Sequence, residues 1–332
     1  MSWLNMKAGS TFNPLNIILS VLLVFASPAN AQKKVCASDP FADPSSDPCD
    51  VLGYIASNAL TTVAIVLLGL VLVAHIAQTI KYGGWWLWTL FVGEAVFIAG
   101  FACRYGLHQN PQNADLFKAE YLLIILAPNA FVAADYMILS RIATHIGAPQ
   151  LLPIRPSRVT ITFVASDIIT FLIQAAGAAI AVSANPTDND KKQKGDHIFI
   201  AGLALQLVSF GLYALSVLWF IYRVYTKERR VWTRDSLGSV WSDWRTLAFA
   251  LVFNCLCIIE RCIYRLIEIN DGFKGPIATS ETLFYCCDSL VLFLGLAIFV
   301  PFWPGRIIRP RKDQERENAM PLSSVKGDNL SV

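Results

Sequence analysis

Two charged clusters stand inside apolar sequence near the end of the chain. Glu260, Arg261, Tyr264, Arg265 and Glu268 fall within one hydrophobic run, and Glu281, Tyr285 and Asp288 open the next. One charge near the bilayer centre costs about 2.5–3.5 kcal/mol even on the lenient insertion scale, so such residues face a bundle interior, pair, or line a polar path. Other runs carry polar residues at helical spacing. Asp167, Thr170, Gln174 and Gly177 share one helix face, as do Gly202, Gln206 and Ser209. Tyr121, Pro128 and Asp135 recur at intervals of seven, and Glu94 precedes Arg104 in an earlier run. Hydrogen bonds between membrane helices are typically worth about 0.6 kcal/mol, which is enough to explain Gln174, Gln206 and the glycines as glue. The carboxylates and arginines exceed what packing needs. Their concentration in one half of the last two runs predicts a polar cavity that opens outward and seats a cationic or zwitterionic headgroup. Substrate-binding candidates are Glu94, Asp135, Asp167, Gln174, Gln206, Glu260, Arg261, Tyr264, Arg265, Glu268, Glu281, Tyr285 and Asp288.

The elements that must position these residues follow from composition. Of 332 residues, 55% are hydrophobic and only 15% charged, against about 25% charged in soluble domains. About 20 apolar residues cross a bilayer as a helix. Seven runs qualify, at about 57–79, 85–103, 119–140, 159–182, 198–222, 246–267 and 282–302. Backbone groups must be satisfied internally in lipid, so an all-α membrane protein of seven transmembrane helices is expected over 57–303. Lys and Arg favour one set of connecting segments by about two to one, which places the N-terminus outside and the C-terminus in the cytosol. The cluster Lys191, Lys192 and Lys194 is the dissenting loop.

Residues 1–31 are expected to be a signal peptide. Lys7 precedes an apolar stretch from Leu15 to Ala26, and Ala29-Asn30-Ala31 supplies small residues for cleavage. Residues 32–56 form an extracellular segment in which Cys36 and Cys49 are expected to pair, because that compartment permits disulfides. The remaining cysteines read as packing residues on helices. The polar tail over 304–332 is expected to be disordered and cytosolic.

Several function classes are excluded on inventory. Intramembrane zinc hydrolysis needs converging histidines. On this topology His75 and His145 lie toward the cytosol and His108 and His197 outside, so no metal or other cofactor is expected. The chain has no Gly-rich phosphate loop and no nucleophile-elbow serine, so neither ATP-driven pumping nor an enzyme is expected. Basic residues lie between apolar spans rather than on one surface, which argues against nucleic acid. A seven-helix receptor shares this topology, but the third helix lacks an acidic-Arg-aromatic triplet and the last lacks both Asn-Pro-x-x-Tyr and a retinal lysine. An unfamiliar lipid or stress receptor stays open as the alternative. Its cytosolic partner would dock on the basic segment 223–245, with Trp232, Trp241 and Trp244. The same segment suits a lipid surface, each basic residue there being worth about 1 kcal/mol. The oligomeric state is not set by these features.

An ordered series of fragments resembles the fungal lipid-translocating exporter family, the RTA-like proteins. They are Glu94 to Arg104; Tyr121, Ala127-Pro128, Ala133-Ala134, Tyr136 and Arg141; Asp167, Gln174 and Gly177; Gly202 and Gln206; Glu260-Arg261, Tyr264-Arg265 and Glu268 with Gly272 and Gly275; Glu281, Tyr285 and Asp288; and Pro304-Gly305. The resemblance implies a seven-helix fungal protein of the plasma membrane or another secretory-pathway membrane. It implies translocation of amphipathic lipids such as sphingoid long-chain bases, and resistance to toxic amphiphiles. Membrane lipids are then the partners and an amphipathic lipid the substrate, with porphyrin carriage as a further alternative.

Overall fold

The computed structural model describes residues 39–308, apart from 46, 48, 51, 183–188, 235–240, 242, 273 and 274. The expected signal peptide, Cys36 and hence its pairing with Cys49, and the tail beyond 308 lie outside the described residues. Each of the seven expected runs forms helix over most of its length, as the need to satisfy backbone groups in hydrocarbon requires. The long helices are α1 (Asn58–Tyr82), α2 (Trp88–Gln109), α3 (Ala114–His145), α4 (Pro156–Val182), α5 (Asn189–Lys227) and α6 (Trp244–Asp271). No strand occurs among the described residues. These six segments are long and apolar enough to cross a membrane.

The last run, expected as a plain span over 282–302, is built differently. An α-turn at Glu281–Leu283 widens into a π-helix at Phe284–Ser289, and Leu290–Ala297 returns to α-helix. Residues 298–302 are turns. This composite is α7. Its wide turn rotates the side chains that follow relative to those before, which matters for the site.

Local chemistry sets the helix ends. Ser57, Asn113, Asp243 and Ser280 accept backbone N–H bonds at the starts of α1, α3, α6 and α7. Gly83 and Gly84 take φ of +80° and +119° between α1 and α2, and Gly272 takes +90° after α6. Such angles suit a residue without Cβ. Both α3 and α6 run past their expected limits, so Glu120 lies more than a turn inside α3 rather than at its start, and Glu268 lies inside α6.

The packing pairs α2 with α3 and α4 with α5 most closely, while α6 touches α3, α5 and α7. Small residues allow these approaches. A Cβ on Gly100 would meet Ile124 Cγ1 at 2.8 Å, and one on Gly177 would meet the Phe199 backbone nitrogen at 2.5 Å. Outward faces carry Val63, Leu70 and Val73 on α1 and Val208, Leu212 and Leu215 on α5, all exposed. Exposed Trp85, Trp88, Trp219 and Trp241 collect toward one end, as an interfacial aromatic belt does. There Trp303 donates to the Gly83 carbonyl at 2.9 Å and is fully buried. At the other end His108 donates to the Ala56 carbonyl at 2.7 Å, and Gln112 donates to Asp47. The molecule therefore has a Trp303 end and a Tyr54 end.

Candidate functional site

Arg104 anchors the first polar cluster, at the Tyr54 end. Its Nη1 donates to Glu120 Oε1 at 2.7 Å, and its Nη2 donates to the Tyr54 hydroxyl at 2.8 Å. Glu281 Oε1 lies 3.6 Å from Nη2 and also accepts from the Ser57 backbone at 2.7 Å. The guanidinium carbon stands 4.5 Å from the Phe284 ring centre and 5.4 Å from that of Tyr285. The Tyr285 hydroxyl is 3.0 Å from Thr61 Oγ1. One buried cation thus ties the pre-α1 loop, α2, α3 and α7. Burial pushes the Tyr54 phenol up to about 12, against the pull of Arg104.

The second cluster lies at the α6–α7 contact. Asp288 Oδ1 is 2.9 Å from Arg261 Nε and accepts from Arg265 Nε at 2.8 Å. Arg265 Nη1 also donates to Glu268 Oε2 at 2.9 Å. On α6 the residues Arg261, Arg265 and Glu268 share the inward face. The π turn separates the roles within α7. An unbroken α-helix would put Glu281, Tyr285 and Asp288 in one row; here Glu281 and Tyr285 address α1 and α2, while Asp288 addresses α6.

A cavity of about 40 Å³ joins the two clusters, lined by Tyr54, Arg104, Glu120, Tyr121, Arg265 and Glu268 among others. A buried water needs roughly 10–15 Å³ of such space, so this cavity is of water size and the conformation is closed to a headgroup. The expected polar interior is present at the Tyr54 end, but only at the size of a few waters.

The remaining sequence candidates sit apart from this cavity. Asp135 accepts both of its bonds from Asn254 Nδ2, at 2.9 and 2.8 Å. Asp167 Oδ2 accepts from the Tyr136 hydroxyl at 2.8 Å. Gln174 donates to Gln206 at 2.7 Å, and Gln206 donates to Asn129 at 2.8 Å. Glu94 lies near the Trp303 end, 2.7 Å from His75 Nδ1, and both side chains are fully buried. The His75 and Trp303 rings are 5.2 Å apart. Glu260 is half-buried beside the inward face, and its Oε2 has no hydrogen-bond partner among the described residues. The same holds for the Tyr264 hydroxyl, whose ring lies 5.9 Å from the Arg265 guanidinium carbon.

Residues 90–311, from α2 to the end of the described chain, match the family described as RTA1 like protein. The chain belongs to that family. It is 30% identical to Protein RTA1 of Saccharomyces cerevisiae over 213 residues, which is 64% of this chain and 63% of that protein. It is 24% identical to the Sphingoid long-chain base transporter RSB1 of the same species over 287 residues, 78% of this chain and 74% of that one. It is 28% identical to Protein RTM1 over 212 residues, 64% of this chain and 65% of that one. No solved structure matches this RTA1-like protein.

Several partners in this RTA1-like site escaped the sequence reading, among them Tyr54, Thr61, His75, Glu120, Asn129 and Asn254. Two of them left a signal. His75 and Glu94 lie at similar distances on either side of the Gly83-Gly84 turn, and Arg104 and Glu120 flank the 110–113 turn in the same way. In an antiparallel hairpin such residues come level. Tyr54 and Asn129 carried no comparable mark.

Proposed function

We infer that this RTA1-like protein moves single-chain amphipathic lipids bearing a cationic amine, sphingoid-base-like, between membrane leaflets without ATP hydrolysis or other chemistry of its own. The observation that carries this reading is the buried ionic network at the Tyr54 end. Arg104, Arg261 and Arg265 are outnumbered there by Glu120, Glu268, Glu281 and Asp288. An intramembrane network with an acidic excess favours a cationic group. The water-sized cavity between the clusters is where an opened conformation would admit one. The relative named as a sphingoid long-chain base transporter supports the same substrate class.

In this reading α7 is the seventh span. The N-terminal segment lies outside, linked by Cys36–Cys49, and the Trp303 end faces the cytosol. Lys81, Arg141, Arg155, Arg158, Arg223, Lys227 and Arg306 all lie toward the Trp303 end, as the positive-inside rule requires. The plasma membrane is the proposed location, and protection against toxic amphiphiles the proposed consequence.

The test is reconstitution of the purified protein in nucleotide-free liposomes, with translocation of labelled sphingoid bases and phospholipids followed. Accelerated movement of the amine-bearing lipid that falls when Glu120 or Glu268 is changed to Gln supports the reading. Unaccelerated movement of every lipid by folded protein overturns it.

A further inference from the structure

We propose that the seam between α5 and α6 is the lateral site for the substrate's alkyl chain, with Asp167 as the counter-charge for its amine. The proposal deepens the preceding reading and rests on it for the substrate class. A second cavity, of about 30 Å³, lies behind the α6 arginines and is lined by Asn129, Asp167, Gln206, Phe210, Arg261 and Arg265 among others. Asp167 is only 7% exposed, and its Oδ1 has no hydrogen-bond partner among the described residues, since Tyr136 occupies Oδ2. Arg265 Nη2 is likewise buried without a hydrogen-bond partner. An unsatisfied buried acceptor is costly, and the cost is relieved by a donor. This cavity too is of water size, so it takes a headgroup only when opened; Asp288 and Glu268 already balance Arg261 and Arg265, and an ammonium would then supply a donor to Asp167 and a hydroxyl an acceptor to Arg265.

The tail has a place beside that cavity. A groove of about 420 Å³ runs along the outer side of the seam, lined by Gly211, Leu215, Val252, Leu256 and Ile259 among others. Phe210 and Ile258 line the cavity, and the next residue of each helix, Gly211 and Ile259, lines the groove. The two spaces therefore abut across one residue on each side, with buried Phe210 as the partition. A Cβ on Gly211 would meet nothing within 4 Å, so the groove has room at this point. An apolar groove on a membrane helix accepts any lipid chain. The Asp167 carboxylate in the adjoining cavity is what selects a single chain headed by an amine.

The test uses the full-length protein in liposomes and a clickable, photoreactive sphingosine, with crosslinked residues mapped by mass spectrometry. Crosslinks at Leu215, Leu256 and Ile259 that unlabelled sphingosine competes away are expected. Asp167→Asn should weaken that competition about tenfold or more, the scale of a lost charge-assisted hydrogen bond. Gly211→Trp, which fills open space, should abolish the seam crosslinks while the protein stays folded. Uncompeted crosslinks spread over all lipid-facing helices, or full binding in both variants, overturn the seam. Lipid movement in the liposome assay with no seam crosslinks overturns this proposal alone. Specific seam crosslinks without any movement overturn the transport reading and leave a binding site.

Discussion

Arg261 Nη2 on α6 donates at 3.0 Å to the Ile124 carbonyl on α3. That carbonyl lies four residues before Pro128, which has no N–H to give it, so the α-helical bond at this point is missing. An arginine that holds Asp288 on one side therefore mends the break in α3 on the other. The sequence showed Pro128 and Arg261 as separate marks. The fold makes them one device.

The first prediction follows from that coupling. Arg261→Lys keeps a charge but cannot serve both partners, and should lower stability by about 1–3 kcal/mol. In a Pro128→Ala background the helix supplies its own donor to Ile124. The same change should then cost less, with a coupling of about 0.5–3 kcal/mol. Thermal unfolding of the four proteins in one detergent measures it. Strict additivity would show that the arginine does not compensate the proline.

A second prediction concerns the buried ion pairs. Asp288→Ala leaves Arg261 without a carboxylate and Arg265 with Glu268 alone, and removal of one partner from a buried pair typically costs about 3–5 kcal/mol. Asp288→Asn, which keeps size and an acceptor oxygen, should cost less. Adding Arg261→Gln to Asp288→Asn should recover part of the loss, because the one uncompensated charge is gone while Arg265 keeps Glu268. If the double variant were as unstable as the sum of the singles, the pair would not be acting as a unit.

Legibility in the sequence divides along physical lines. Apolar length was enough to place α1 to α6, because hydrocarbon leaves the backbone no alternative to helix. The π turn was not legible. Nothing in Phe284-Tyr285-Cys286-Cys287 marks it, and the periodicity of Glu281, Tyr285 and Asp288 describes an α-helix. Spacing sets Glu260, Tyr264 and Glu268 on one side of α6 with Arg261 and Arg265 adjacent, whereas the arginines lie on the inward face with Glu268, since a single helix does not reveal which side its partners take. Glu120 was passed over because the expected start of α3 left it at the membrane edge. In the structure it pairs with Arg104 a full turn inside the helix.

A third prediction tests the α4–α5 contact. Gly177 faces the Phe199 nitrogen at 2.5 Å and the Gly195 carbonyl at 2.9 Å from where a Cβ would sit. Backbone atoms cannot rotate aside, so a larger residue must part the helices. Gly177→Leu should lower the yield of folded protein sharply. Gly211→Leu, with open space at its Cβ, should leave yield near wild type. Size-exclusion profiles of the two variants, expressed side by side, distinguish a contact effect from a generic intolerance of leucine on these helices.

The last prediction concerns direction across the membrane. If α7 is a seventh span, the Tyr54 end and the Trp303 end lie on opposite sides, with Asn113 among the outside residues and the short helix Arg229–Arg234 inside. The free cysteines, of which Cys286 is exposed, are first replaced by Ser or Ala to give a silent background. Asn113→Cys should then react with an impermeant maleimide added to intact cells, and Arg230→Cys only after permeabilisation. Arg230 suits this because it is exposed at the Trp303 end, where basic residues meet an anionic cytosolic leaflet. The reversed pattern would turn the whole bundle over and place the ionic network on the cytosolic half. Labelling of both positions from outside would mean an even number of crossings between them, and α3 to α5 would then not all be spans.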